Sequence, residues 1–174
     1  MGPADEYVEL YREYLPRILN YMRLRVDGED LAQDLTAEVF ERAIARQATL
    51  RKREAFGAWL FRIARNTVAA HYRTRKKTLG LDEVEEQAAP TSNPVQTVIQ
   101  REQVDRMRQA LSTLSEREQE IIRLKFGGGL GNQEIARLLR LRPGHVAVLL
   151  YRALRKLRSL LQDEPDFRQG ADGV

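Results

Sequence analysis

Apolar side chains recur at intervals of three and four residues along most of this chain, the spacing of one face of an α-helix. The stretches with this spacing are residues 5–25, 30–47, 56–77, 95–111, 115–126, 132–139 and 143–161. We find neither the alternation of a β-strand nor an internal repeat. The sequence therefore predicts an all-α protein. Pro16 lies inside the first stretch and predicts a kink or break near Leu15.

The helical spacing stops at Thr78 and resumes near Val95. The residues between, "LGLDEVEEQAAPTSNP", include Pro90 and Pro94 and few large apolar groups, and residues 78–105 together have a net charge of −5. Such a composition is typical of a flexible linker. We therefore predict a first helical domain at 1–77, a linker at 78–105, a second helical domain at 106–162 and a disordered tail at 163–174.

Charge is distributed unevenly over these segments. The chain carries +4 overall, with +4 in residues 1–77, +8 in residues 106–162 and −3 in the tail. Two basic modules joined by an acidic tether favour a partner that is a polyanion. Two helical domains with solvated basic faces explain the same charges, and charge alone leaves both interpretations open.

Several classes of function are disfavoured by composition. The chain has no cysteine and only two histidines, far apart in sequence, so neither disulfides nor a metal site are expected. We expect no catalytic residues, no metal and no cofactor. The N-terminus is acidic rather than signal-like, and no apolar run is long enough to span a membrane. We therefore expect a cytoplasmic protein.

Residues 132–151, "NQEIARLLRLRPGHVAVLLY", have the pattern of a helix-turn-helix. Arg140–Arg142 form a three-residue turn, and Pro143 suits the first position of the following helix. The stripe Val146, Leu150, Ala153, Leu154 and Leu157 would be the buried face of that helix. An ordinary packed α-hairpin is the alternative, and Arg140 favours it, because glycine fits a left-handed turn position better.

The helix predicted to begin at Pro143 has more apolar residues in its first two turns than its buried face requires. At about 100° per residue, Val148 falls about 200° from Val146, almost opposite the buried stripe, and Leu149 lies on its flank. Arg152 and Arg155 also point outward. Val148 is therefore expected to be exposed, and exposed apolar surface usually has a partner.

The helix at 56–77 ends in the stretch "RIARNTVAAHYRTRKK", which contains six basic residues and no acid. Phe56, Trp59, Phe61 and Tyr72 lie on the same element. Basic groups hold phosphates and aromatic rings stack on exposed bases, a combination that suits partly single-stranded nucleic acid. Phe56 and Trp59 could instead belong to the core.

Four motifs follow one another along the chain: "DLTAEVFERAIAR" (34–46), "FGAWLFRIARNTVAAHYRTRKK" (56–77), "LSEREQEIIRLKFGGGLGNQEIARLL" (114–139) and "VAVLLYRALRKLRSLL" (146–161). Together they resemble the extracytoplasmic-function class of bacterial sigma factors. Each motif alone is moderately specific, whereas their order and separation are highly specific. The resemblance covers about residues 7–162.

The resemblance implies a specificity subunit of RNA polymerase rather than an enzyme. The first module would bind a coiled coil on the largest polymerase subunit and open the minus-ten promoter element as a melted strand. The second would bind the polymerase flap and read the minus-thirty-five element as duplex DNA. The linker would thread into the polymerase channel, and an anti-sigma factor is an expected partner.

The resemblance also implies three sets of contact residues. The set expected at core polymerase, which could also be an ordinary solvated helix face, is Asp34, Glu38, Glu41 and Arg42. The set expected at minus-ten DNA is Leu50, Arg51, Lys52, Trp59, Arg65, Asn66, Ala69, Tyr72, Arg73 and Arg75. The set expected at minus-thirty-five DNA is Arg142, Pro143, His145, Ala147, Val148, Leu149, Arg152 and Arg155.

The reading helix departs from the family pattern. The family commonly places lysine, serine and arginine where this chain has Ala147, Val148 and Leu149, so bidentate hydrogen bonds to guanine are excluded there. Either these side chains read thymine methyl groups, or they bind a protein such as an anti-sigma factor. A stand-alone helix-turn-helix regulator and a helical protein-binding adaptor are the alternative functions.

Overall fold

A computed structural model describes the backbone of residues 3–78 and 94–162, with side chains for 7–78 and 98–160. Its helices are α1 (Pro3–Arg25), α2 (Glu29–Ala45), α3 (Phe56–Thr78), α4 (Pro94–Ser112), α5 (Glu116–Ile122), α6 (Asn132–Leu139) and α7 (Pro143–Gln162). The described residues include no strand, which confirms the all-α prediction. Residues 79–93 of the expected linker and the tail 163–174 lie outside the described residues, whereas 94–105 belong to α4.

Helix α1 continues through Pro16, so the expected break near Leu15 is absent. Proline removes one backbone donor, and here its ring is on the exposed side of the helix. Tyr14 and Ile18, on either side of it, are both buried in the same core. Both halves of α1 are therefore anchored in the same core.

Helices α1, α2 and α3 form the first helical module. Ile18, Val39 and Leu60, one from each helix, are fully buried at its centre. Removing each such side chain from water stabilises the fold by roughly 1.5–3 kcal/mol. The connection from α2 to α3 contains two short 3₁₀ turns, at Gln47–Thr49 and Arg53–Ala55.

Helices α4, α5 and α7 enclose a second cluster of buried apolar residues: Leu111, Leu114, Ile122, Ala153 and Leu157. Helix α5 begins with a capping box, in which the Ser115 hydroxyl accepts from the Glu118 N–H and the Glu118 carboxylate accepts from the Ser115 N–H. Leu154 is 41% exposed, so its assignment to the buried stripe of α7 was wrong.

The first module also packs directly on the segment between α5 and α7. Ile121, Leu124, Leu130 and Ile135 share one continuous core with the first module, and all four are buried. We call the contacts of α1 and α3 with residues 120–136 the seam. The chain follows a π-turn at Arg123–Gly127 where this segment meets α1.

Two glycines allow the close approach at the seam. A Cβ atom at Gly127 would lie 3.1 Å from the Cα atom of Tyr21, and one at Gly128 would lie 2.7 Å from the Phe61 ring. Distances this short are not tolerated without movement, because the neighbouring atoms belong to a helix backbone and a buried ring. Glycine at 127 and 128 therefore allows this segment to pack closely against α1 and the Phe61 ring.

Candidate nucleic-acid interface

A three-residue turn joins α6 to α7, as the helix-turn-helix pattern predicts. Arg140 ends α6 in the left-handed region, at φ 56° and ψ 46°, and the Leu141 N–H donates to the Ala136 carbonyl at 2.8 Å. Pro143 is the first residue of α7. At the other end of α6, the Glu134 carboxylate accepts from the Gly131 N–H at 2.8 Å. These bonds satisfy backbone groups at both ends of α6, and buried Ile135 and Val146 of the two helices share one core.

The residues that the resemblance assigns to minus-thirty-five DNA lie just before α7 and along its outer face. Val148 is 46% exposed, which agrees with its predicted position opposite the core, and Leu149 is half-buried against the core as expected for a flank. The remaining members of the set are all exposed: Arg142, Pro143, His145, Ala147, Arg152 and Arg155. This face is thus apolar at its centre and basic on both sides.

An ion pair connects α7 to α5. Lys156 Nζ donates to both carboxylate oxygens of Glu118, at 3.0 and 2.9 Å. The ammonium group and the capping bonds from Ser115 hold the pKa of Glu118 below its ordinary value, although burial opposes them. Glu118 therefore fixes the start of α5 and the orientation of α7 at the same time.

The outer surface of α3 carries most of the residues assigned to minus-ten DNA. Asn66, Ala69, Tyr72, Arg73 and Arg75 are exposed on it. The Tyr72 hydroxyl donates to the Arg25 carbonyl at 3.2 Å, which holds the ring against the end of α1. Exposed arginines beside an exposed aromatic ring can bind phosphates and stack on a base.

The loop before α3 positions Trp59. Its indole Nε1–H donates to Thr49 Oγ1 at 3.1 Å, and its ring is half-buried at 5.7 Å from that of Phe56. Phe56 itself is buried, so the core interpretation holds for it. Arg51 and Lys52 are exposed in this loop, while Leu50 is half-buried against the core.

The acidic residues assigned to polymerase docking lie on the outer side of α2. Asp34 and Glu41 are exposed, and Glu38 and Arg42 are half-buried. Glu38 forms an ion pair with Arg42 one turn later, which orients the guanidinium group along the helix. The four side chains are therefore accessible to a partner without rearrangement of the first module.

Arg65 is half-buried and forms an ion pair within the chain, whereas Arg73 and Arg75 of the same set are exposed. Its Nε–H donates to Glu120 Oε1 at 2.9 Å, and the Tyr21 hydroxyl donates to the same oxygen at 2.9 Å. Sequence reasoning missed Glu120 and Tyr21, because a single acid in a charged helix and a tyrosine on an apolar stripe are both ordinary. The glycine run 127–129 was the available signal that a close contact forms nearby.

Two models of sequence families match the chain in order. The model of Sigma-70 region 2 matches residues 10–78, and that of Sigma-70 region 4 matches residues 105–157. The first match covers α1, α2 and α3, and the second covers the end of α4 through most of α7. Each basic surface described above therefore lies inside one of the matched ranges.

Among curated proteins, the chain is similar to extracytoplasmic-function (ECF) sigma factor BldN of Streptomyces coelicolor. The two are 35% identical over 170 residues, which is 94% of this chain and 63% of BldN, so the chain spans less than two thirds of that relative. It is also 28% identical to RNA polymerase sigma factor YlaC of Bacillus subtilis, over 91% of this chain and 93% of YlaC.

Among solved structures, the fold is similar to that of sigma factor RpoE of Bartonella quintana, solved in complex with the anti-sigma factor NepR. The TM-score is 0.66 at 22% identity, over 91% of this chain and 98% of RpoE. The ordered matches to both Sigma-70 regions, the curated relatives and the shared fold lead to one conclusion. The chain belongs to the extracytoplasmic-function class of the sigma-70 family.

Proposed function

We propose that this protein is a sigma factor that binds core RNA polymerase, recognises the minus-thirty-five and minus-ten promoter elements and opens the promoter. It acts in the cytoplasm and catalyses no reaction itself; its contribution is binding energy. The supporting observation is that two basic surfaces, on α3 and α7, lie in the two matched Sigma-70 ranges in the family order.

In this proposal α2 contacts the coiled coil of the largest polymerase subunit through the accessible Asp34, Glu38, Glu41 and Arg42. The second module contacts the polymerase flap.

Among the described residues no helix is both long and apolar enough to cross a membrane.

The surface formed by the 50–52 loop, Trp59 and α3 binds the melted minus-ten strand. Unstacking a base costs a few kcal/mol per step, and stacking on an aromatic side chain returns roughly 1–3 kcal/mol per base. Trp59 and Tyr72 each present an accessible part of an aromatic ring beside exposed arginines. These groups can stack only on bases that have left the duplex, so they offset the cost of melting only after the DNA has become single-stranded.

The first two turns of α7 enter the major groove of the minus-thirty-five element. Val148 and Leu149 contact thymine methyl groups, and Arg142, Arg152 and Arg155 contact phosphates. The 46% exposure of Val148 supports this assignment, because its methyl groups are accessible without unfolding. Val148→Lys is expected to change the preferred bases in a binding-site selection with polymerase present, and unchanged selectivity would count against the assignment.

An anti-sigma factor is the proposed regulatory partner, by analogy with the complex in which RpoE was solved. The apolar face of α7 at Val148 and Leu149, if it does not read DNA, is a candidate binding site for this partner. If Val148→Asp with Leu149→Asp leaves every such partner bound, that site is excluded.

Transcription in vitro tests the proposed function. The full chain is mixed with core polymerase and a library of promoters, and transcript start sites are sequenced. A sigma factor produces new, discrete start sites only when polymerase and the chain are both present. Tight duplex binding by the chain alone, without new starts, would indicate a stand-alone helix-turn-helix regulator. Absence of both activities would leave the protein-binding adaptor.

A further inference from the structure

Helix α7 carries a shallow groove beside its reading face. The groove has a volume of about 480 Å³ and is lined by Tyr151, Leu154, Arg155, Arg158 and Ser159. Tyr151 is 66% exposed and Leu154 is 41% exposed, so two large apolar side chains are open to solvent there. We call this surface the α7 groove. Of its lining residues, the proposed contacts with promoter DNA use only Arg155.

The α7 groove is basic as well as apolar. Arg155 and Arg158 are exposed on it, and neither forms an ion pair with a described residue. None of the described residues that line the groove is acidic. A ligand that fills it must therefore bring an anion for the arginines and an apolar group for Tyr151 and Leu154. The backbone of duplex DNA offers only the anion, because its bases stay stacked, whereas an acidic peptide with an aromatic ring offers both.

The chain itself contains such a peptide directly after α7. Helix α7 ends at Gln162, and the sequence continues as "DEPDF" (163–167). These five residues include three acids, no basic residue and one aromatic ring. Phe167 is the largest apolar residue of the tail 163–174. The segment therefore matches the groove in charge and in apolar character.

The segment is also long enough to reach the groove. Leu154 lies eight residues before Gln162, which is about 12 Å back along the helix. The five residues 163–167 span up to about 17 Å when extended. Pro165 disfavours the helical conformation for the residue before it, so the sequence favours a change of direction soon after α7 ends. Phe167 can therefore lie on Leu154.

We propose that the α7 groove binds residues 163–167 of the same chain, with the Phe167 ring on its apolar part and the carboxylates on its arginines. The bound segment competes with minus-thirty-five DNA, because it occupies Arg155. Arg155 follows Val148 by two helical turns and lies on the same side of α7, so the groove adjoins the reading face. The competition rests on the proposed function, whereas the docking of the segment does not.

Docking within one chain needs only weak contacts. A short tether gives the segment an effective concentration in the millimolar range, so an affinity too weak to join separate molecules still fills the groove. Exposed ion pairs contribute little by themselves. Burial of the Phe167 ring is therefore the contact on which docking depends, and Phe167→Ala is the decisive change.

Nuclear magnetic resonance on the free, full chain tests the docking without polymerase. The sequence has no cysteine, so Gln169→Cys introduces a single thiol for a nitroxide label. The label should broaden the amide signals of residues 151–159. Because a label so close to α7 broadens some of these signals in any case, comparison with variants decides. Phe167→Ala should remove most of the broadening, whereas Val174→Ala, which shortens an apolar side chain outside the segment, should retain it.

Two results would overturn the docking. The first is equal broadening with and without Phe167→Ala. The second comes from a mixture in which one copy carries the nitroxide and the other carries only the isotope label. Broadening of residues 151–159 in the isotope-labelled copy would assign the groove to the segment of a second copy instead.

Binding of the polymerase complex to a minus-thirty-five duplex tests the competition. Phe167→Ala should raise the affinity about fivefold, the effect of releasing a segment that fills the groove in about four-fifths of the molecules. It does so without changing the net charge, and Val174→Ala should have no effect. With Leu154→Ala already present, Phe167→Ala should add little, because both changes remove the same contact.

Asp166→Asn and Asp172→Asn separate docking from net charge. Each removes one negative charge from the tail, but only Asp166 belongs to the docked segment. Asp166→Asn should raise the promoter affinity more than Asp172→Asn does. Equal effects of the two, or an unchanged affinity in Phe167→Ala, would overturn the competition. If wild-type protein with polymerase binds no promoter, the proposed function fails, while the resonance comparison still decides the docking.

Discussion

Arg140 is the one described non-glycine residue with positive φ, and it gives a sharp prediction for Arg140→Gly. An L-residue in the left-handed conformation costs about 1–2 kcal/mol relative to glycine. Glycine in turn costs about 0.5–1 kcal/mol more backbone entropy on folding. The side chain of Arg140 is exposed, so its removal loses no packing. The net expectation is a protein about 0.5–1 kcal/mol more stable.

Arg137→Gly is the matched control. Arg137 is exposed on the same helix, three residues earlier, but inside α6, where glycine costs about 1 kcal/mol relative to a good helix former. The two variants remove the same side chain and add the same backbone freedom. They should therefore differ by roughly 1.5–2 kcal/mol, with opposite signs relative to wild type.

Urea unfolding followed by far-ultraviolet circular dichroism measures both variants. Because the modules share one core, a single transition with an unchanged slope is expected, so the midpoint reports stability. Transcription by Arg140→Gly with core polymerase should be retained, since the three-residue turn is kept. If Arg140→Gly is destabilised as much as Arg137→Gly, the account of the turn is wrong.

Three further predictions concern the second module. Ser115→Ala should lower the free energy of unfolding by about 1 kcal/mol through loss of the capping box, whereas exposed Ser159→Ala should change it by less than about 0.5 kcal/mol in the same urea titration. Because the pKa of Glu118 is lowered in the folded state, its ionised carboxylate stabilises the fold at pH values above the unfolded-state pKa of about 4.3. This contribution is lost as the pH falls through the lower, folded-state pKa. The free energy of unfolding of Glu118→Gln should therefore fall less on acidification than that of wild type. Arg152→Gln should weaken binding of the polymerase complex to all minus-thirty-five sequences alike and reduce the slope of log affinity against log salt by about one; a change of base preference instead would exclude a phosphate contact.

The helices could be predicted from the sequence because their determinants are local. Apolar spacing located all seven described helices, and Pro143 located the start of α7. The outward position of Val148 followed from helical geometry alone. Leu154 was misplaced because it lies about 50° from the centre of the buried stripe, and the helices that pack on α7 cover a narrower face than the spacing suggests.

The seam could not be predicted in the same way. The contact between Arg65 and Glu120 joins residues 55 positions apart, and that between Tyr21 and Glu120 joins residues 99 apart. Neither residue type is unusual in its own segment. The charge pattern even suggested two modules kept apart by an acidic tether, because net charge does not report which side chains pair.

The expected contact residues differ in whether their side chains already form contacts within the chain. Val148, Arg73 and Arg152 are exposed, so a nucleic acid bound as proposed would gain their full interaction energy. Arg65 must first lose a charge-assisted bond to Glu120, so the gain from a phosphate there is only the difference between two similar contacts. If Arg65 contacts the promoter as proposed, the energy lost on its substitution is therefore reduced by the bond to Glu120 that the contact would have replaced. The effect of Arg65→Ala on transcription should accordingly be smaller than that of Arg73→Ala.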